Sequence, residues 1–406
     1  MPTGGEGGPG RDLRVALVHD FLLDLRGAER TFLAMCDMWP EADLHTTVYD
    51  EAGTQGRFAD RGVRTSFLQR LRPTASSFRA LLPLYPAAVE SLDLSGYDLV
   101  VSSSSAWAHA VICDPGTVHV SYCYNPFRYA WNERQRTLAE RRDPVSRALL
   151  AGFFRRWRQW DRLAAQRVDR YVAISRTTQG RIESYFGRES SIVYPPVETS
   201  RFAPGVAGEH YLVLSELMPH KGIDTAVRAF SALGRPLVVV GDGPDWQRLR
   251  RLARPNVTFT GRASDERVAE LLASCRALVV TAVEEFGIAA VEAQAAGRPV
   301  IAVGEGGALE TVEEGRTGCF YAGGEESLAA AVTAFDDAAI DPRACVSNAR
   351  RFDTAVFRER LAAEVEHALR DVDAGGRRPP RRAASRRPGV ARLARGHRPS
   401  RRSSSA

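Results

Sequence analysis

The sequence predicts an α/β protein with parallel β-sheets, and two observations within residues 277–312 lead to this prediction. The first is a short apolar run at 277–283, which is typical of a strand covered on both faces. The second is a helix and another strand close behind that run: helix-forming residues at 288–296 stop at Gly297, and an apolar strand occupies 299–303. A strand, a helix and a strand this close in sequence form a right-handed parallel unit.

Strands and helices of the same kind are predicted along the rest of the chain. Apolar runs predict strands at 13–19, 98–102, 119–123, 168–175, 191–194, 210–214, 237–241 and 257–260. Helices are predicted at 28–39, 224–233, 327–335 and 354–370, and a loop at 318–324. Residues 195–208 contain Pro, Gly and Ser with little periodicity, so we expect a linker between two domains there.

Two acidic residues in the first stretch point to a ligand site. Glu284 stands where a strand ends, and Glu292 falls on the apolar face of the next helix. Ligands of parallel sheets bind outside the carboxyl ends of strands and beside helix N-termini. Glu284 and the amides of Phe286, Gly287 and Ile288 are therefore expected to face a crevice. The alternative is that both acids are solvated charges near the start of a helix.

The whole block resembles the signature of a known enzyme family. Glu284, seven residues that include Phe286-Gly287, then Glu292, AQAAGRPVIA and the Gly-Gly-x-x-Glu turn at 306–310 resemble the GT4 class of retaining glycosyltransferases. The segment is most similar to their WbaZ-like, mannosyltransferase-type branch. The resemblance covers roughly residues 13–370 and implies a GT-B fold, in which two Rossmann-like domains face each other across a cleft.

The resemblance also implies where the domains lie. We expect an acceptor-side domain at 1–197, a nucleotide-sugar donor domain at 198–353, and a final helix at 354–372 that crosses back to the first domain. Residues 373–406 are rich in Arg, Pro and Ser, which predicts a disordered basic tail.

Lys221 is the most distinctive of the implied site residues, because it is the only lysine beside 54 arginines. It precedes Gly222, where the family places a lysine that grips the donor diphosphate, and a compact ammonium suits a phosphate. The resemblance implies that Glu284 holds hydroxyls of the transferred sugar and that Glu292 holds the ribose hydroxyls. Glu216 occupies the position of a family arginine, and an acid there repels a diphosphate unless it is paired or turned away.

The resemblance implies three further parts of the donor site. The family usually has Gly-Gly-x-Glu near the donor phosphates, and this chain has Arg26-Gly27-Ala28-Glu29. The Arg26 side chain either crowds that loop or contacts the donor phosphates. The amides of residues 286–288 are implied to stabilise charge on the sugar-phosphate side, and backbone near Arg262 to contact the nucleobase.

Tyr124 replaces the histidine that the family uses beside the donor sugar. A tyrosine can hydrogen-bond a sugar hydroxyl but supplies no imidazole that titrates near neutral pH. His119 lies on the opposite face of the predicted strand, and His109 reaches the cleft only if its loop folds inward. A structural role is the alternative for both histidines.

Composition limits the partners. The formal charge is +6, but residues 374–406 carry 11 arginines and no acid, which leaves 44 basic and 49 acidic residues elsewhere. A nucleic-acid partner for the whole protein is therefore disfavoured.

The six cysteines are scattered, which predicts reduced thiols, and no signal peptide or membrane span is evident. We expect a cytoplasmic protein, with a peripheral position on the inner face of the plasma membrane as a further hypothesis.

That hypothesis rests on residues 147–163, which mix aromatic residues with arginines. This composition is typical of a helix that lies on an anionic membrane surface, and the basic tail would add to the attraction. The alternative is a packed amphipathic helix with arginine side chains along its edge.

The resemblance implies transfer of a sugar, with mannose favoured, from a nucleotide diphosphate to a hydroxyl of a glycan or lipid-linked acceptor. The product would belong to cell-envelope polysaccharide or glycolipid. GDP-mannose is the leading donor and a UDP-sugar the second. No metal ion and no cofactor are expected, because amides, helix N-termini and Lys221 supply the counter-charge.

Other functions stay open. A catalytically weak, GT-B-shaped binding protein would fit the departures at Arg26, Tyr124 and Glu216. A scaffold that binds nucleic acid or membrane through the tail is another alternative. The Glu-Phe-Gly block argues against a third, a sugar-nucleotide epimerase.

Overall fold

The computed structural model describes residues 13–374, and it contains two parallel β-sheets. One sheet has seven strands in the order β3-β2-β1-β4-β5-β6-β7, and the other has six in the order β10-β9-β8-β11-β12-β13. Every strand pair within the two sheets is parallel. The predicted α/β class is therefore confirmed.

The strands of the first sheet are β1 (Val15–His19), β2 (Asp43–Thr46), β3 (Arg64–Thr65), β4 (Leu99–Ser104), β5 (Val118–Cys123), β6 (Arg170–Ala173) and β7 (Ser190–Ile192). Those of the second sheet are β8 (Tyr211–Leu214), β9 (Leu237–Val240), β10 (Val257–Gly261), β11 (Leu278–Val280), β12 (Val300–Val303) and β13 (Gly318–Tyr321). Strands β1, β4, β5 and β12 are buried along their whole length, as strands of a parallel sheet covered on both faces are.

Helices pack on the sheets throughout. They are α1 (Gly27–Met38), α2 (Tyr85–Glu90), α3 (Arg134–Ala139), α4 (Pro144–Ala164), α5 (Arg176–Phe186), α6 (Ile223–Leu233), α7 (Trp246–Leu252), α8 (Asp265–Ser274), α9 (Ile288–Ala295), α10 (Ala308–Thr311), α11 (Glu325–Ala334), α12 (Pro342–Ala349) and α13 (Thr354–Ala374).

Each sheet reverses its strand order beside its first strand, between β1 and β4 in one and between β8 and β11 in the other. Such a switch point opens a crevice at the carboxyl ends of the strands, where ligands bind. Asp20, directly after β1, accepts hydrogen bonds from the amides of Ser105 (2.5 Å) and Trp107 (2.7 Å) after β4. These bonds fix the two chain segments that leave the first switch point.

One local prediction is wrong. Residues 318–321 form strand β13 at the edge of the second sheet, where a loop was expected. A Cβ atom on Gly318 would lie 2.0 Å from the carbonyl oxygen of Val300, so this edge needs a glycine. A glycine-rich sequence suggested a turn, whereas here glycine allows two backbones to approach closely.

Helix α13 lies against the first domain. The ring of Phe357 packs edge-on against Tyr122 of β5 at 5.5 Å, and Arg170 of β6 donates to Glu364 at 2.5 Å. The helix runs to Ala374, so the first two residues of the predicted tail are helical. The rest of the tail lies outside the described residues, and the predicted domain limits at 197 and 353 remain proposals.

Helix α4, which spans the predicted membrane-binding segment, packs its aromatic side into the first domain. Phe154 and Trp157 are buried, and Trp157 contacts the rings of Trp107 (6.2 Å) and Phe127 (4.5 Å). These contacts agree with the packed-helix alternative for that side of α4. None of the helices within residues 13–374 is both long and apolar enough to span a membrane.

We predict that Leu361→Ala loosens the attachment of α13. Leu361 is fully buried in the core that α13 shares with the first sheet, and truncation of such a leucine costs about 2–5 kcal/mol. Thermal unfolding followed by circular dichroism should show a clear fall in Tm. Leu309→Ala removes the same atoms from a side chain that is 57% exposed, so it is the control. Equal Tm values for the two variants would contradict the packing described for α13.

Candidate functional site

A cavity of about 1070 Å³ lies between the two domains. Five of the predicted site residues line it: Gly27, Glu216, Arg262, Ile288 and Glu292. Both switch points contribute to its wall, through residues 24–27 after β1 and residues 215–216 after β8. The cavity thus occupies the place at which parallel sheets bind ligands.

Helix α1 begins at this cavity. The amide of Arg26 donates to the Glu29 carboxylate at 3.0 Å, which secures the first turn of the helix. A Cβ atom on Gly27 would lie 3.2 Å from the Cδ1 atom of Ile288 in the second domain. The start of α1 and the start of α9 therefore meet across the cleft, and the contact leaves little room for a side chain at position 27.

The loop that carries Glu284 and Phe286 rests on a glycine turn. The amide of Gly307 donates to the Glu284 carbonyl at 2.8 Å, and a Cβ at that position would come within 2.3 Å of the Phe286 backbone. Gly287 has φ of +91° and begins α9. The Gly-Gly-x-x-Glu motif thus holds the loop in place through its backbone.

Lys221 and Glu284 form an ion pair, with the Lys221 Nζ atom 2.9 Å from the Glu284 Oε1 atom. The hydroxyl of Thr281 donates to the Lys221 carbonyl at 2.7 Å and ties the lysine loop to the end of β11. The structure therefore brings together the two residues predicted to contact the diphosphate and the sugar. Neither residue lines the cavity, and their roles remain predictions.

Glu292 lines the cavity from α9, and its carboxylate has no hydrogen-bond partner among residues 13–374. Burial raises the pKa of its carboxyl, although the charges of Arg201 and Arg30 act in the opposite direction. Both arginines are engaged elsewhere, because Arg30 forms two 3.1 Å hydrogen bonds with Asp265 and Arg201 lies 3.3 Å from the same carboxylate. An unpaired, partly buried carboxylate that lines a cavity is suited to accept hydrogen bonds from ligand hydroxyls.

The two departures in the donor loops meet each other. The Arg26 Nη1 atom lies 3.1 Å from Oε1 and 3.0 Å from Oε2 of Glu216, across the cleft. The Arg26 Nε atom also donates to Asp24 at 3.0 Å. Arg262 is mostly exposed and lies 3.9 Å from the same aspartate.

Tyr124 lies beneath the start of α1. Its hydroxyl donates to the Ala28 carbonyl at 3.0 Å and bonds the Ser103 hydroxyl at 2.9 Å. Ser103 in turn bonds His19 at 2.9 Å. Burial raises the pKa of Tyr124, so the phenol is neutral. Its hydroxyl is engaged with protein groups, and a contact with the sugar remains a prediction.

The two histidines considered as replacements are buried behind the sheet. His109 lies 3.1 Å from the Asp161 carboxylate of α4, and His119 bonds the Ser102 hydroxyl at 2.9 Å. Burial lowers the pKa of His119 to about 3, so that its imidazole is neutral. Both fit the structural alternative.

Two family models match adjacent parts of the chain. "Glycosyltransferase Family 4" matches residues 25–201, and "Glycosyl transferases group 1" matches residues 198–352. The two ranges meet near the linker and together include every predicted site residue.

The chain belongs to the GT4 family of glycosyltransferases.

Curated relatives of this GT4 chain act on phosphorylated inositol compounds, according to their names. A GDP-mannose-dependent alpha-(1-6)-phosphatidylinositol monomannoside mannosyltransferase of Mycobacterium tuberculosis is 38% identical over 51% of this chain and 63% of its own length. Its counterpart in Mycolicibacterium smegmatis is 35% identical over 43% and 54%. A D-inositol 3-phosphate glycosyltransferase of Acidothermus cellulolyticus is 32% identical over 38% and 43%. Each match covers less than two thirds of the relative.

Solved structures confirm the fold of this GT4 chain. Sucrose-phosphate synthase of Thermosynechococcus elongatus has a TM-score of 0.67 at 18% identity, with 89% of this chain and all of that chain covered. Anabaena HepE in complex with UDP-glucose has a TM-score of 0.64 at 19% identity, with 87% of this chain and all of that chain covered. The predicted GT-B fold, with two Rossmann-like domains across a cleft, is therefore confirmed.

Glu285 of this GT4 chain is a residue that the sequence analysis missed. Its Oε1 atom accepts from Arg181 at 2.9 Å and from Asn125 at 3.3 Å, both in the first domain. Burial opposes ionisation, yet the charges of Arg128 and Arg181 outweigh it and lower the pKa of the Glu285 carboxyl. The only hint of Glu285 in the sequence was the pair of adjacent acids at 284 and 285. The structure shows that their two carboxylates face different partners.

Glu310, the last residue of the glycine motif, also joins the two domains. Its carboxylate accepts from the Arg176 amide (3.0 and 3.1 Å) at the start of α5 and from the Tyr194 hydroxyl (3.0 Å).

No group of three or more His, Cys, Asp or Glu side chains in the part of the chain that the structure describes is arranged to hold a metal ion.

We predict that Glu292→Gln stabilises the ligand-free protein. Because the pKa of Glu292 is raised, its ionised form costs stability as the pH rises above the ordinary range of glutamate. The variant should gain roughly 1 kcal/mol at neutral pH, and the gain should vanish near pH 4. Tm measured from about pH 4 to about pH 8 checks this.

Glu285→Gln is the matched control, because the same substitution should change the stability of the protein in the opposite direction there. The lowered pKa of Glu285 contributes stability above the ordinary range of glutamate, and this contribution is lost as the pH falls. The control should lower Tm at neutral pH. A loss of Tm in both variants at pH 7 would contradict the unpaired state of Glu292.

Proposed function

We propose that the chain is a retaining glycosyltransferase that moves mannose from GDP-mannose to a hydroxyl of a glycan or lipid-linked acceptor. The acceptor would belong to cell-envelope polysaccharide or glycolipid synthesis. The observation that carries the proposal is the cavity between the domains, on which Gly27, Glu216, Arg262, Ile288 and Glu292 converge.

The diphosphate of the donor would lie between the starts of α1 and α9. The positive ends of two helices meet there, since Gly27 of α1 packs against Ile288 of α9. Lys221 would add a mobile positive charge after exchanging its partner Glu284 for a phosphate oxygen. The amides of Phe286, Gly287 and Ile288 would stabilise the charge that grows on the leaving phosphate.

The remaining proposed contacts follow from placing the donor diphosphate between the starts of α1 and α9. Glu292 would accept hydrogen bonds from the ribose hydroxyls, which would satisfy its unpaired carboxylate. Once Lys221 turns to the phosphate, Glu284 would be free to accept from hydroxyls of the transferred sugar. Arg262, which also lines the cavity, would lie near the nucleobase. Closure of the two domains would exclude water and limit hydrolysis of the donor.

Mannose is favoured by the relatives, four of which are named as GDP-mannose-dependent phosphatidylinositol monomannoside mannosyltransferases, from two mycobacterial species and Corynebacterium glutamicum. A UDP-sugar is the second candidate, and the HepE structure was solved with UDP-glucose. No cofactor other than the nucleotide-sugar substrate is proposed.

The alternative function, a catalytically weak binding protein, has one observation in its favour. The hydroxyl of Tyr124 is engaged with Ser103 and Ala28, and neither His109 nor His119 reaches the cavity. A protein of that kind would bind a nucleotide sugar without transferring it.

We predict that the chain binds and hydrolyses one donor of a panel consisting of GDP-mannose, UDP-glucose, UDP-N-acetylglucosamine and UDP-galactose. Glu284→Gln and Lys221→Arg should each slow turnover of that donor about tenfold to a hundredfold. The first removes the carboxylate charge, and the second replaces a compact ammonium by a broad guanidinium that does not fit the same place. Binding is measured by calorimetry and turnover by release of the nucleoside diphosphate. Arg170→Ala, which breaks the ion pair with Glu364 of α13, is the control away from the cleft.

The result separates the two functions. Turnover of one donor, impaired in both site variants and intact in the control, supports the transferase. Binding without turnover in wild type supports the binding protein, and no binding of any donor contradicts the proposed site.

We further propose that the outer side of α4 contacts the anionic inner face of the plasma membrane. Three large apolar side chains there are exposed (Val145, Leu149 and Leu163), beside exposed arginines at 147, 155, 156 and 162. An exposed apolar stripe flanked by arginines is typical of interfacial helices. The basic tail, which lies outside the described residues, would add to the attraction.

We predict that Arg155→Glu/Arg156→Glu reduces binding to phosphatidylglycerol vesicles at least about tenfold, since each basic residue near such a surface contributes about 1 kcal/mol. Arg250→Glu/Arg251→Glu makes the same charge change on exposed residues of α7 and should bind like wild type. Co-sedimentation with phosphatidylglycerol and phosphatidylcholine vesicles measures this. An equal loss in both pairs would assign the attraction to net charge and not to α4.

A further inference from the structure

Arg26 and Glu216 form an ion pair that joins opposite walls of the donor cavity. Arg26 precedes α1 in the first domain, and Glu216 comes after β8 in the second. One guanidinium nitrogen contacts both carboxylate oxygens, at 3.0 and 3.1 Å. Each side chain therefore reaches the middle of the cleft, at the point where the two switch points face each other.

Arg26 has a second side-chain partner in its own domain, whereas the Glu216 carboxylate has no other hydrogen-bond partner among residues 13–374. The Arg26 side chain is 51% exposed and that of Glu216 is 42% exposed. Asp24, in the same loop as Arg26, accepts from its Nε atom at 3.0 Å. The second terminal nitrogen of Arg26 has no hydrogen-bond partner among residues 13–374. Asp24 therefore aims a guanidinium at the cavity, with donors that a ligand can use.

Exposed ion pairs contribute little to stability, so an anion can replace Glu216 at small cost. A phosphate oxygen has the geometry that a guanidinium fork binds, and the start of α1 adds the positive end of a helix beside it. Glu216 itself is an acid on the cavity wall, so its contact with Arg26 is also what keeps it from repelling an anionic ligand.

We propose that Arg26 binds the diphosphate of the donor, and that Glu216 holds Arg26 across the ligand-free cleft and is displaced on binding. The inference rests on the proposed function, because it assigns a ligand group to the same cavity. The two positions exchange roles relative to the family resemblance, in which the arginine is expected at position 216 and a small residue at position 26. The guanidinium is retained in the cleft but is supplied by the opposite wall.

The test compares GDP with guanosine, which lacks the phosphates, by calorimetry on the full chain. Arg26→Ala should weaken GDP binding about tenfold to a hundredfold, which is the effect of losing one charge-assisted contact, and leave guanosine binding unchanged. Glu216→Gln should bind GDP at least as tightly as wild type, because the competing carboxylate is gone. Arg170→Ala should bind both ligands like wild type.

The double variant Arg26→Ala/Glu216→Arg tests the exchange of roles directly. The two side chains touch in the cleft, so an arginine from position 216 reaches the space that the Arg26 guanidinium leaves. GDP affinity should recover most of the loss seen in Arg26→Ala. Unchanged guanosine binding shows that Arg26→Ala is folded, and recovery in the double variant would show that the single variant had lost only the guanidinium.

Two results would overturn the inference. One is an Arg26→Ala variant that binds GDP like wild type, and the other is an equal loss of GDP and guanosine affinity that the double variant does not restore. Failure of the proposed function is a different result, in which wild type binds no nucleoside diphosphate and no nucleotide sugar at all.

Discussion

The site depends on a backbone contact between residues 284–286 and the glycine turn at 306–307. Side chains at either glycine would collide with the loop backbone, so the contact is available only to glycine. It fixes four consecutive residues in four different directions. Glu284 meets Lys221, Glu285 meets Arg181, Phe286 stacks on Tyr194, and Gly287 begins the helix that carries Glu292 to the cavity.

The same loop ties the ligand cavity to the junction of the domains. Phe286 contacts the rings of Tyr194 and Phe352, at 5.6 and 5.4 Å, and those two rings also contact each other at 5.2 Å, where the chain leaves one domain and later returns to it. Glu310 bonds the start of α5 in the first domain. A change of angle between the domains would therefore move these contacts and the 284–287 loop together, which is the coupling that the proposed closure over a substrate requires.

Much of this could be predicted from the sequence, because the strands are buried on both faces and the site lies at the ends of strands. The edge strand at 318–321 was missed, since its glycine serves close packing and resembles a turn. Glu285 was missed because a doublet of acids does not reveal which carboxylate faces which domain. The Arg26–Glu216 contact joins residues 190 positions apart, and local patterns carry no information on such pairs.

The single lysine makes selective covalent labelling of this protein possible. Lys221 is the single ε-amine in a 406-residue sequence, and it forms an ion pair with Glu284 while its side chain is 23% exposed. Apart from the terminal α-amine, an amine-directed isotope or fluorophore label would therefore modify one side chain only, at the place where a donor phosphate is proposed to lie. Most proteins need engineering before a probe reports on a single point of a ligand site. In this chain the arginine-rich composition has left that point chemically unique.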